Sequence, residues 1–180
     1  MTYYGGKQMA DAFRTVRNNT IAIAEEVPAE KYDFRPAPDV RSLAEQLAHL
    51  AVAPRAQTAV HRAGLTSLDF AMFGKSMAEA AAAEQALRTK EDIVAALRDE
   101  GEAFASFLES LDEATLQESV NFPPPVQPSA KTRFEMLLGA KEHEMHHRGQ
   151  LMVAQRMLGI VPHLTRRRQE MVAAAGGGKA

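Results

Sequence analysis

The stretch KEHEMHHRGQL holds the residues best suited to chemistry in this chain, because it places His143 and His147 four positions apart. In a helix, residues at that spacing lie about 40° from one another on one face, one turn apart. Two imidazoles so placed can converge on one metal ion beside the helix. The same face carries Met136, Gly139, Ala140, Gln150, Ala154 and Met157, which reads as an inward stripe. Two histidines on such a stripe must be hydrogen-bonded or metal-bound, since an unpaired polar group there costs about 1–3 kcal/mol.

A third ligand has to come from another inward face, and His49 is the best placed. It sits mid-helix in LAEQLAHLAVA, on a face with Ser42, Glu45, Ala53, Ala56 and Val60. Small residues around it leave room for an ion and a small ligand. Three imidazole ligands leave coordination positions open, the arrangement of a catalytic metal rather than a structural one. The plain alternative for a lone histidine on an apolar face is a hydrogen-bonded core residue. His61, near a helix end, reads as a surface residue, and His163, beyond the helix-ending Gly159, as a loop residue. His146 is turned roughly 60° from the stripe, within reach of a supporting or a surface role. Gln150, one turn beyond His147, could orient a ligand or bond within the core.

HEMHH also satisfies the H-E-x-x-H pattern of zinc peptidases, with Glu144 as the base. The extended forms of that motif need a glycine where Gln150 stands, or a downstream glutamate for which only Glu170 is available. A di-iron carboxylate site needs two E-x-x-H motifs, and only Glu144–His147 fits.

The elements that must position these histidines are helical. Met9, Phe13, Val16, Thr20, Ile23 and Val27 recur at spacings of three and four over a helix from about Lys7 to Glu26, ended by Pro28. The linker AEKYDFRPAPDV follows, with Tyr32 and Phe34 to pack it down. Ser42 and Glu45 form a capping box that opens a helix from Leu43 to about His61, kinked at Pro54. A short helix is expected at Leu68–Phe73, with the alanine-rich run to Leu87 helical by propensity. Thr89 and Asp92 open the next helix, striped by Ile93, Leu97, Phe104, Phe107, Leu108 and Leu111, and a helical turn follows at Glu113–Gln117. NFPPPVQPS is too rich in proline for a helix or a central strand. The last helix runs from about Thr132 to Leu158, with Gly159 and Pro162 beyond it. No segment shows strand alternation. Residues 1–165 read as one bundle domain and 166–180 as a flexible tail.

Length and composition bound the rest. A single domain of 180 residues can bury a sizeable core without disulfides. With no cysteine, a metal must be held by imidazole or carboxylate, and any thiol must arrive with a substrate. A formal net charge of −2 offers no general attraction for nucleic acid or anionic membrane. No leader and no span of about 18 apolar residues is evident, so a cytoplasmic setting is expected.

The runs YDFRPAPDVRSLAEQLAHLA and HEMHHRGQLMVAQRMLG resemble the DinB-like (DinB/YfiT) family of four-helix-bundle metalloproteins. The resemblance extends from the first helix through Leu158. It implies an all-α, up-down-down-up bundle, commonly a homodimer, holding one divalent metal ion, with zinc, nickel or iron reported. The family's metal-binding histidines map onto His49, His143 and His147. Characterised relatives include transferases and isomerases that use the thiols mycothiol or bacillithiol.

Three functions are therefore open. The first is a metal-dependent transferase or hydrolase acting with a thiol or water nucleophile on a small electrophilic substrate. Its pocket would lie between the second and last bundle helices, with NFPPPVQPS and residues 65–75, including Phe70, Met72 and Phe73, at the mouth. The second is a non-catalytic, metal-stapled dimeric bundle serving interaction or stress response. The third is an H-E-x-x-H zinc peptidase.

Overall fold

Capping side chains begin five of the helices of this chain, as its computed structural model shows for the described residues, 4–176. The hydroxyls of Ser42, Thr89 and Thr132 each accept the backbone N–H three residues on, and the acid there accepts the cap's own N–H. These boxes satisfy donors that a helix start leaves orphaned. The resulting helices are α1 (Gly6–Glu26), α2 (Leu43–Val52), α3 (Pro54–Arg62), α4 (Phe70–Ala86), α5 (Lys90–Glu109), α6 (Glu113–Gln117), α7 (Arg133–Met157) and α8 (His163–Gly176). Pro54 divides α2 from α3, because its ring cannot donate into the helical ladder.

Polar contacts between helices fix their directions. Arg14 of α1 bonds Glu102 and Glu109 of α5, while Lys90 at the other end of α5 bonds the carbonyls of Glu25 and Val27, so α1 and α5 run antiparallel. Arg17 meets Glu144 and Glu26 meets Gln155, so α1 and α7 run parallel. His49 faces His143, and Gln46 faces His147 and Gln150, so α2 and α7 run antiparallel. The bundle of α1, α2 with α3, α5 and α7 is thus up-down-down-up. Its core has two clusters. One gathers Ile23, Leu43, Leu47, Leu50, Leu97 and Leu151, and the other Phe13, Phe104, Leu108 and Leu137.

At the centre, all four bundle helices meet on one buried side chain. Arg17 Nε lies 2.9 and 3.0 Å from the two carboxylate oxygens of Glu144. Its Nη1 donates to the Leu97 carbonyl at 3.0 Å and its Nη2 to the Leu50 carbonyl at 2.8 Å. Gly101 makes room for it, since a β-carbon there would stand 2.7 Å from Arg17 Cγ.

Several elements differ from the sequence expectation. Two three-residue strands, β1 (Ser119–Asn121) and β2 (Ala130–Thr132), pair antiparallel around the proline-rich loop, and three residues are too few to show alternation. The expected short helix and alanine-rich run form one helix, α4, capped by Asp69 and without a buried residue. The segment from 166, expected as a tail, continues α8 to Gly176; Arg166 ties it to Glu26, and Arg156 donates to Thr165 at 2.9 Å. Residues 177–180 lie outside the described residues. Among those described, no helix is long and apolar enough to cross a membrane.

His61 is buried rather than on the surface, with Nδ1 accepting from Arg133 at 3.0 Å. Burial, with the neighbouring Arg133 charge, pushes its pKa from 6.5 down to about 4. The fold therefore holds a neutral ring that the unfolded chain protonates near 6.5, so this stability is complete above pH 6.5 and lost as pH falls toward 4. We expect on the order of 2–3 kcal/mol to go over that interval. Urea midpoints at pH 7.5 and 4.5 check this; the midpoint of His61→Gln should fall less between them than that of the parent.

Candidate metal centre

The buried stripe of α7 is Arg133, Leu137, Ala140, Glu144, Leu151, Ala154 and Gln155. This is rotated from the stripe expected from sequence, in which Gln150 and Met157 were inward; both are exposed. The rotation follows from Glu144 and Gln155, polar residues that occupy core positions. His143 and His147 consequently sit at the rim of the core, half-buried, where α2 faces α7.

There they meet His49. The Nε2 atoms of His49 and His143 are 3.1 Å apart, and those of His143 and His147 are 3.2 Å apart. One ring nitrogen from each of the three residues lies within 4.8 Å of the others. Two nitrogens each about 2.0–2.1 Å from a tetrahedral zinc ion stand roughly 3.3 Å apart, so this spacing fits chelation of one ion. Three facing ring nitrogens cannot all be paired by one another's hydrogens, and a shared cation resolves the crowding. The trio could hold a metal ion.

Neighbouring side chains orient the rings. His49 Nδ1 lies 2.7 Å from Glu84 Oε1, so Nδ1–H donates to the carboxylate and Nε2 turns to the trio. His147 Nδ1 lies 3.1 Å from Gln150 Oε1 and 2.9 Å from the Gln46 amide, which also bonds Gln150. Gln150 Nε2 in turn donates to His146 Nε2 at 3.0 Å. Burial, reinforced by His147, His49, His146 and Arg41, pushes the His143 pKa down to about 4. Burial also lowers that of His147, against the Gln150 hydrogen bond that raises it. Both rings are therefore uncharged at neutral pH, as ligands must be.

A cleft of ≈ 490 Å³ opens beside His147, lined by Pro36, Val40, Arg41, Gln46, Gln150 and Val153. Its wall is the linker before α2. The proline-rich loop and residues 65–75, expected at the mouth, do not line it; they join each other instead, through a bridge between Ser67 and Asn121. Sequence reasoning missed Glu84 and Gln46. Glu84 lies on a helix with no apolar stripe to orient it. Gln46 stands three residues before His49 and shares its face, whereas Glu45, named for that face, turns outward to Arg35. His163 is buried at the start of α8, not in a loop, and its Nε2 lies 3.0 Å from Asn19 Oδ1 rather than joining the trio. Glu144 is 1% exposed and held by Arg17, so it has no freedom to act as the base of a peptidase.

A family model for the DinB superfamily matches residues 12–151. The chain belongs to the DinB superfamily. No curated protein sequence matches it. Among solved structures, this DinB-superfamily chain is similar to a DinB-like protein of Bacillus subtilis, YjoA, with 24% sequence identity and a TM-score of 0.61. That likeness covers 84% of this chain and 92% of the other, and it shows a shared fold.

Proposed function

We propose that this DinB-superfamily protein is a metal-dependent transferase or hydrolase, with His49, His143 and His147 as ligands of one zinc, nickel or iron ion. The observation that carries the reading is the convergence of three imidazole nitrogens beside an open cleft. When bound, the ion supplies Lewis acidity, which lets a thiol or water act as a nucleophile near neutral pH. Glu84 and Gln150 hold the outer ring nitrogens of His49 and His147, so the inner ones keep their lone pairs. The cleft receives a small electrophilic substrate. In the thiol reaction the S–H proton passes to solvent, sulfur bonds to the electrophilic carbon, and the leaving group departs with its electron pair. A cytoplasmic homodimer without nucleic-acid partners belongs to the same reading.

The test is a screen of thiol and electrophile pairs with metal-loaded protein, followed by His147→Ala. Loss of both metal and turnover supports the proposal. Turnover of a genuine substrate by metal-free His147→Ala overturns it. The second reading, a non-catalytic staple, is favoured by the trio joining two helices, α2 and α7. It predicts that a chelator lowers Tm sharply in a protein that turns over no such pair.

Glu84 is a positioning residue in this reading. Glu84→Ala is expected to weaken metal affinity about ten- to a hundredfold, as loss of such ring-orienting carboxylates does elsewhere. Competition with a chromophoric chelator measures the affinity, with circular dichroism to show unchanged helix content. Glu84→Gln, which keeps an acceptor oxygen, should recover part of the loss.

A further inference from the structure

Resting on that reading, we propose that the substrate taken by the cleft carries a carboxylate on an apolar body, with the carboxylate bound by Arg41. Arg41 is the one charged side chain among the cleft-lining residues. It stands at the N-terminal approach to α2, and its side chain remains 47% exposed. Its nearest acid is Glu84, whose Oε2 lies 3.9 Å away while Oε1 is engaged by His49 at 2.7 Å. No hydrogen bond from the Arg41 side chain is made among the described residues, so its donor fork is free for a planar anion.

The surrounding charges favour an anion as well. Glu45 is paired with Arg35. Arg41 lines the same cleft as His147 of the trio. With an ion of charge +2 in place, the Arg41 cation and the single Glu84 carboxylate leave the cleft electropositive. Pro36, Val40 and Val153 supply the apolar part of the wall, beside His147 and the mutually bonded amides of Gln46 and Gln150, and the two valines are 40% and 56% exposed. A volume of ≈ 490 Å³ accepts a small organic molecule. A free guanidinium beside exposed aliphatic side chains selects an amphipathic carboxylate over its neutral counterpart.

The test uses the full chain loaded with cobalt(II), whose visible spectrum responds to thiolate binding. The probes are 2-benzyl-3-mercaptopropanoate and its primary amide, which share the thiol and the apolar body and differ only in charge. We expect the carboxylate to bind at least tenfold tighter than the amide. Arg41→Gln should bring the two within about twofold by weakening the carboxylate alone, and Arg35→Gln should leave the preference intact. Equal binding of the two probes by the parent, or equal loss in Arg35→Gln and Arg41→Gln, overturns the carboxylate assignment while leaving thiol binding at the ion standing. If neither probe alters the cobalt spectrum, the thiol reading of the site fails, and the inference fails with it.

Discussion

Glu144→Ala is expected to lower folding stability by about 3–5 kcal/mol, the cost of leaving a buried cation without its partner. Against a total of about 5–15 kcal/mol for a domain, such a loss brings the protein near unfolding. The size follows from position. Arg17 and Glu144 are 3% and 1% exposed, and the Arg17 guanidinium also bonds carbonyls of α2 and α5. Without the carboxylate, the guanidinium must either stay buried uncompensated or swing out and abandon those carbonyls. Arg17→Met with Glu144→Leu removes both charges together and should recover much of the loss, since an apolar pair of similar volume is often neutral. Urea unfolding of the single and double variants measures both effects. A Glu144→Ala loss below about 1 kcal/mol would show that the pair does not hold the bundle together.

His143→Ala is expected to lower affinity for zinc or nickel at least a hundredfold. Its Nε2 is the middle atom of the trio, within 3.1 and 3.2 Å of the other two, so its removal leaves two ligands on different helices without the atom between them. Competition titration against a chelator of known affinity checks this. The fold should persist, because His143 is half-buried and lies beside, rather than within, the apolar clusters.

What could be read in the chain was what local rules govern. The stripe from Met9 to Val27 and the boxes at Ser42 and Thr89 sit within one or two turns of sequence, and all form where expected. The meeting of His49 with His143 and His147 was legible because an i, i+4 pair needs a partner and few inward faces carry one. What escaped depended on tertiary contacts. Arg17 drew no reading and Glu144 only one as a peptidase base, since nothing in a one-residue hydropathy separates a solvated charge from one paired 127 positions away. Leaving Glu144 and Gln155 off the inward face rotated the apparent stripe of α7 and placed the two histidines deeper than they lie. Glu84 was hidden by the composition of α4, where alanines give helix but no face. His61 was taken for a surface residue because its burial comes from Arg133, on a helix remote in the chain.

X-ray absorption at the zinc edge, on protein loaded with one equivalent of zinc, counts imidazole ligands by their outer-shell scattering. Three imidazoles and a lighter atom are expected in the parent, with two imidazoles left in His49→Ala. A parent spectrum with one imidazole or none, or a spectrum that His49→Ala leaves unchanged, would contradict a shared ion held between α2 and α7.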